Sequence, residues 1–399
     1  MRKGTAAYKR ATLAMLAVGL AIFMTLYSTQ ALLPSFVSDL GITPTEAAWT
    51  VSATTGALAI CVVPASILSE RFGRGRVLII SALLATAIGL LLPFAQDATQ
   101  LILLRALQGV MVSGTPAVAM AWLSEEIDSE DLPGAMGLYI AGTTVGGLFG
   151  RFIPAGLLEF TNWRGALAGT AVIAFIFAIV MALLLPKQKN FTPKSISPKT
   201  ELYAMAGHLK NPRLVSLFLI AFFAMGTFVS MYNFLGFRLI DDFGLAPALV
   251  GFVFIMYLSG TWSSAQAGNM IKHFGRGRVV LVGAVLMFVG LLLCAAGNIW
   301  ITMLGLLIFT ASFFAIHSTA SGWVGQIATK NRAEASSLYT FCYYLGSSAI
   351  GGSTGWIFER LPWGGFVATL SGILAIVLVI ATALALSERR DQKSVHHSL

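Results

Sequence analysis

Charged side chains are scarce in this chain. They make up 11% of its 399 residues, less than half of the roughly 25% that a water-wetted surface carries. That shortage excludes a set of two or three soluble cores, each of which needs a polar shell. Cysteine is also rare. Cys61, Cys294 and Cys342 fall in apolar runs without paired spacing or partner histidines, so neither a disulfide framework nor a metal site is expected. No loop of the form G-x-x-x-x-G-K-S/T occurs, which argues against direct use of ATP. The most telling absence is acidic. Asp39, Glu46, Asp97, Glu159, Asp241, Asp242 and Glu359 map to the rims of apolar runs, and no carboxylate lies in their middles.

What the chain has instead is hydrophobic length. Residues of hydrophobic type make up 57% of it, and the mean hydropathy is +0.81. A helix needs about 20 mostly apolar residues to cross a bilayer. Twelve such spans are predicted, over 12–34, 47–68, 77–96, 100–123, 136–158, 164–186, 214–237, 247–271, 279–298, 300–323, 337–358 and 363–386. A helix closes its backbone hydrogen bonds within the segment, as hydrocarbon requires. A β-barrel would show short alternating strands, and these runs are continuous. The start MRKGTAAYKR is a basic flank, but the apolar run after it is too long for a typical signal peptide. It reads as an uncleaved first span.

Basic residues set the expected orientation. Of 26 lysines and arginines, 21 fall in the termini and the even-numbered connections, while the opposite connections hold only Arg164, Arg238 and Arg360. The positive-inside rule then places both termini in the cytoplasm. The net charge of +9 is accounted for by topology, and nucleic acid is not an expected partner. The remaining two basic residues, Arg105 and Arg151, lie inside spans.

The sequence repeats itself. FGRGRV occurs from Phe72 and again from Phe274; LYIAGTTVG from Leu138 faces LYTFCYYLG from Leu338; Trp163 faces Trp363; Asp39-Leu40-Gly41 faces Asp242-Phe243-Gly244. A steady offset near 200 argues for a duplicated six-span unit. The expected organisation is a six-helix bundle over 1–186, a polar cytoplasmic linker over 187–212, a second six-helix bundle over 213–386 and a cytoplasmic tail over 387–399.

At these residues the chain resembles the major facilitator superfamily, over essentially its full length. The family pattern after span two is roughly G-x-x-x-D-R-x-G-R-R/K, and Ser66, Glu70, Arg71, Gly73, Arg74, Gly75 and Arg76 stand at or beside its positions. In the second copy Lys272 replaces the acid. The span-four pattern L-x-x-x-R-x-x-Q-G is intact as Leu101, Arg105, Gln108 and Gly109. On span five Gly137, Gly146 and Gly150 keep the exporter spacing G-x8-G-x3-G, but Arg151 stands where that motif has proline. The Gly-Arg pair is similar to that of bacterial permeases of the arabinose-efflux or drug:proton antiporter type. The resemblance implies an all-α membrane protein of twelve helices in two pseudo-symmetric bundles. It also implies a bacterial inner-membrane location, a small-molecule substrate, no cofactor, no enzymatic activity and a monomer able to work alone.

Individual residues carry the functional expectations. An arginine inside a span is costly unless it faces a cavity or a partner. Arg105 therefore reads either as a proton-coupling or substrate group, or as a hub for neighbouring backbone. Arg151 falls at similar depth; two guanidiniums near one cavity would attract an anion, and the alternative is a cap on nearby carbonyls. His317 is the one histidine inside a span and titrates near neutral pH in water. It is either a carrier of the coupling proton or a hydrogen-bonded core residue. Tyr27, Gln30, Tyr232, Asn233, Trp262, Tyr343 and Tyr344 are candidate cavity-lining residues. Glu70, Arg71, Gly73, Arg74 and Arg76 are a candidate cytoplasmic gate. Gly109, Gly137, Gly146 and Gly150 are candidate helix-packing glycines. The acidic run Glu125 to Asp131 is expected to be a solvated connection.

The function these readings favour is proton-coupled efflux of small amphipathic molecules, neutral or anionic because no buried carboxylate awaits a cation. Symport or facilitated uptake of a sugar or organic acid is the alternative. An intramembrane enzyme would need an acid, His-Asp or Ser-His cluster at a membrane face, and His317 has no acidic residue near it in sequence.

Overall fold

A computed structural model describes residues 1–193 and 198–397. Lys194 of the linker and the last two residues of the tail lie outside the described residues, as does the side chain of Lys393. Among the described residues all regular structure is helical. Eleven helices are long and apolar enough to cross a membrane: Ala6–Leu40, Pro44–Phe72, Arg74–Phe94, Ala98–Glu126, Leu132–Leu157, Trp163–Leu184, Pro212–Asp241, Pro247–Phe274, Arg276–Leu293, Ile299–Ile327 and Trp363–Arg390. Span eleven is the helix Arg332–Arg360, long enough at 29 residues but diluted by serine, glycine and tyrosine. The chain is a multi-pass membrane protein.

Local chemistry sets the ends of these helices. Thr43 and Glu46 cap span two reciprocally, with Pro44 in its first turn; this satisfies amide groups that the helix start leaves unpaired. Asp97, Asn162 and Asn298 cap spans four, six and ten with their side chains. Gly73 and Gly275, at φ 99° and 80°, make the turns that start spans three and nine, where a side chain would be strained. Spans one and four are broken. Span one stops at Tyr27, passes a short turn over Gln30–Leu32 and resumes as Leu33–Leu40. Span four stops at Val112 and resumes at Pro116, because proline cannot supply the amide hydrogen of a continuous helix. The linker contains its own helix, Pro198–His208, and the last helix runs on to His397.

The chain falls into two compact units. The first comprises Met1–Pro198 and Leu235–Phe254; the second comprises Lys199–Phe234 and Ile255–Leu399. In the first, span one packs on spans five and six, span two on span four, and span three on spans four and six. In the second, spans eight and nine pack on span ten, and span nine on span twelve. Pairings two–four, three–four and three–six thus recur as eight–ten, nine–ten and nine–twelve.

Glycines let spans one and five approach closely. A Cβ on Gly142, Gly146 or Gly150 would sit 2.6–2.7 Å from the carbonyl oxygens of Leu16, Leu20 and Met24. Gly109 of span four lies directly against the backbone of Thr54, and Gly346 lies directly against that of Phe222. Gly137 corrects the expectation, for nothing lies within 4 Å of its would-be Cβ. Nine residues separate it from Gly146, which at about 100° per residue puts the two on opposite helix faces. The packing stripe is Gly142-Gly146-Gly150, at a spacing of four.

Candidate functional site

The break in span one creates acceptors that a continuous helix would have used. The helix ends at Tyr27, so the last carbonyls before it have no intrahelical partner. Arg105 fills that role. Its Nη1 donates to Thr25 O at 2.8 Å, Nη2 to Leu26 O at 2.6 Å and Nε to Thr50 O at 2.8 Å. A further Nη1–H reaches Gln108 Oε1 at 2.5 Å, and Gln108 Nε2 donates onward to Ala85 O at 2.9 Å. Arg105 is 0% exposed. One guanidinium and one amide, three residues apart on span four, thereby tie together spans one, two and three. Beside Gln108 a cavity lined by Thr25, Ser28, Gly89, Thr170 and neighbouring apolar groups leaves about 10 Å³ for the centre of a water molecule, room for about one.

Arg151 has a different set of neighbours. Its Nε donates to Gln30 Oε1 at 2.6 Å, and its Nη1 to Gly147 O one turn earlier at 2.7 Å. The guanidinium carbon lies 3.8 Å from the ring centroid of Tyr27 and 5.3 Å from that of Phe254. Aromatic faces attract a cation through their quadrupole, most strongly where water is excluded, and Arg151 is 1% exposed. A Cβ on Gly147 would sit 3.4 Å from Nη1 and 3.8 Å from Tyr27, so this face of span five lies in ordinary contact with the stacked pair. The structure brings together Arg151, Tyr27 and Gln30 from the sequence-based set. It adds Gly147 and Phe254, which no motif singled out.

The second unit gathers aromatic groups. Phe228 stacks on Phe313 at 4.0 Å and flanks Tyr232, Tyr257 and Phe309 at 4.9–5.7 Å. Tyr232 shares a hydrogen bond with Thr310 Oγ1 at 2.6 Å. Asn233 Nδ2 donates to Gly351 O at 3.3 Å. His317 Nδ1 lies 3.0 Å from Tyr339 Oη, and its ring stacks on Phe313 and tilts against Tyr343 at 4.5 Å. Tyr344 is buried and meets Tyr343 edge-on. Trp262 is 66% exposed and joins none of these clusters. Phe228, Tyr257, Phe313 and Tyr339 escaped the sequence reading. Their signal is a spacing of four, as in Phe309-Phe313-His317 and Tyr339-Tyr343, which places the rings on one helix face.

At the FGRGRV turn of the first unit, Arg74 is the centre. It donates to Glu125 at 2.5 Å, to Ser69 Oγ at 3.2 Å and to Glu70 at 3.3 Å. Two corrections follow. Arg71 and Arg76 are exposed and stay outside this network, because the helix that starts at Arg74 turns Arg76 away. The acidic run is not a solvated connection throughout: Glu126 is 1% exposed and accepts the backbone N–H groups of Lys189 and Asn190, each at 2.8 Å. Asp128 stays at the surface, where the Glu130 backbone N–H and the Arg2 side chain hold its carboxyl below the ordinary range.

Known proteins are similar to this chain over nearly its full length. The family model of the Major Facilitator Superfamily matches residues 15–261 and 217–398. The MFS-type transporter YybF of Bacillus subtilis is 35% identical, over 99% of both chains. The inner membrane transport protein YnfM of Escherichia coli is 38% identical, over 96% of this chain and 92% of its own. Among solved structures, a bacterial homologue of the human lysosomal transporter Spinster superposes with a TM-score of 0.77 at 14% identity, over 97% of this chain and 98% of that one. The duplicated six-span pattern, the span-four arginine motif and these full-length matches agree, and this chain is a member of the Major Facilitator Superfamily.

Proposed function

We propose that this transporter exports small amphipathic molecules, neutral or anionic, across the bacterial inner membrane by alternating access driven by proton exchange. In this reading the two repeat-related bundles are the moving bodies, both termini are cytoplasmic and the monomer is the working unit. The observation that carries it is the seat of Arg151: a buried guanidinium framed by Tyr27, Phe254, Gln30 and a backbone carbonyl. The mid-span sequence offers no carboxylate to attract an organic cation. An organic anion arriving there gains charge-assisted hydrogen bonds to a planar donor fork and ring contact from the tyrosine. Arg105, committed to backbone carbonyls of spans one and two, shapes the scaffold rather than meeting substrate. His317, hydrogen-bonded to Tyr339, is the group we assign to the coupling proton, since it is the one histidine inside a span and its ring nitrogen has a hydroxyl partner.

The test uses inside-out vesicles with an acid lumen, supplied from outside with either fluorescein, an amphipathic anion, or rhodamine 6G, an amphipathic cation. Fluorescein is expected to accumulate in the lumen, and the accumulation is expected to be lost in Arg151→Gln. Accumulation of the cation alone would overturn the reading. Accumulation driven by an alkaline lumen would favour the symport alternative.

A further inference from the structure

The second glycine of each FGRGR turn meets a side chain that arrives from beyond the end of a later span. In the first unit Gly75 N–H donates to Gln188 Oε1 at 3.2 Å. Gln188 lies four residues past the end of span six, at the root of the linker. Its Nε2 donates to Glu125 Oε2 at 2.9 Å. Lys189 and Asn190 then close on Glu126 through their backbone N–H groups, and Asn190 Nδ2 on Glu125 O. In the second unit Gly277 N–H donates to Glu388 Oε2 at 2.7 Å, and Arg276 N–H to Glu388 Oε1 at 3.2 Å. Glu388 follows the apolar part of the last helix.

These are repeat-related positions. Gly75 and Gly277 are 202 residues apart, and Gln188 and Glu388 are 200 apart. Both glycines stand where the family pattern quoted above has arginine or lysine. A Cβ on Gly277 would lie 2.7 Å from Ala385 Cα and 2.8 Å from Glu388 Oε2, so the last helix can reach the turn only because that residue is glycine.

The division of chemistry follows from the neighbours. Gln188 accepts from one group and donates to another, which an amide does and an ionised carboxylate cannot. Glu388 accepts from two backbone N–H groups at the start of a helix, where negative charge is favoured. Aligning Trp122 with Trp323 puts Gln326 opposite Glu125. Each half therefore carries one carboxylate and one amide at these two places, in opposite order.

We propose that Gln188 and Glu388 are a repeat-related pair of clamps. They fix the linker root and the C-terminal helix to the FGRGR turns, and Gln188 must be neutral because Glu125 already supplies the carboxylate. Through Gln188 a displacement of the linker root is felt at Glu125 and so at Arg74.

Hydrogen exchange of the 73–78 and 275–280 segments in detergent-solubilised full-length protein tests this without a substrate. Gln188→Glu sets two carboxylates face to face and is expected to speed exchange in 73–78 by about tenfold. Adding Glu125→Gln restores one carboxylate and one amide, as in the second unit, and is expected to return exchange toward the parent. Glu388→Ala is expected to speed exchange in 275–280 by roughly two- to fivefold, leaving 73–78 unchanged. Gly277→Ala should reproduce that effect, whereas Gly75→Ala, whose Cβ meets only ordinary contacts, should not. Melting temperature and monodispersity, measured in parallel, identify any variant that misfolds. Parent-like exchange in Gln188→Glu, or a double variant no better protected than Gln188→Glu, would overturn the proposal.

Discussion

The first unit buries two guanidiniums, Arg105 and Arg151, each at most 1% exposed. The repeat offset places Leu307 and Gly351 at those positions in the second half. Conversely, the second unit packs Phe228, Tyr232, Tyr257, Phe309, Phe313 and His317 into one aromatic cluster, where an offset of 202 puts the non-aromatic Leu26, Gln30, Thr55, Leu107, Met111 and Thr115 in the first half. Both units nevertheless share three pairings of spans (two–four, three–four and three–six recurring as eight–ten, nine–ten and nine–twelve), a glycine-started third helix and a close approach at Gly146 and Gly346. Duplication kept the scaffold, whose packing needs small residues at fixed helix phases. It let the charged and aromatic chemistry separate between the halves.

The largest test of that contrast is at Arg105. Arg105→Ala removes four hydrogen bonds, three of them to buried backbone carbonyls. It is expected to lower stability by about 3–5 kcal/mol, read as unfolding free energy in detergent. Arg105→Lys should recover little, because a single ammonium cannot span carbonyls on two helices. Leu307→Ala, at a site 42% exposed, should cost under about 1 kcal/mol. Comparable losses at both positions would break the contrast.

The shared scaffold predicts the opposite pattern for glycine. Gly146→Ala and Gly346→Ala should each cost about 1–3 kcal/mol by overpacking against a facing backbone. Gly137→Ala, in open space, should stabilise by about 0.5–1 kcal/mol. The same unfolding measurement decides between a stripe at spacing four and the motif's own spacing. Smaller again, Tyr339→Phe removes the hydroxyl partner of His317 and should cost about 0.5–1.5 kcal/mol, with the pH dependence of transport shifted, and lost only in His317→Gln, if His317 carries the proton.

The smallest effect is at the loop. Asp128 has its carboxyl lowered in the folded state from 3.8, so its contribution is fully present above that value. It is lost as pH falls through the lower, folded value. Arg2→Ala should shrink this acid-side change, measured as melting temperature against pH between 5 and about 2.

How much of this was legible beforehand depended on range. The spans, the duplication and the family were readable because apolar length and the FGRGRV and R-x-x-Q-G motifs are local signals. The partners of Arg105 were not, because they depend on carbonyls released where span one breaks after Tyr27, inside what reads as one apolar run. Gly137 misled because a motif records spacing without helix phase. Gln188, Glu388 and Glu126 sit in stretches that read as linker, tail and solvated loop. Their bonds reach 63 residues or more along the chain.

The central claim, that the first half divides its two buried arginines between scaffold and substrate, has a direct measurement. Fluorescein and rhodamine 6G are titrated into purified parent, Arg151→Gln and Arg105→Lys, with binding followed by dye anisotropy and folding by melting temperature. The account predicts that the parent binds fluorescein in preference to rhodamine 6G. It further predicts that Arg151→Gln stays folded and loses the anion by tenfold or more, as expected for about 1.5–3 kcal/mol of charged hydrogen bonding. Arg105→Lys should lower the melting temperature while its folded fraction still binds. Unchanged fluorescein affinity in folded Arg151→Gln would contradict the account.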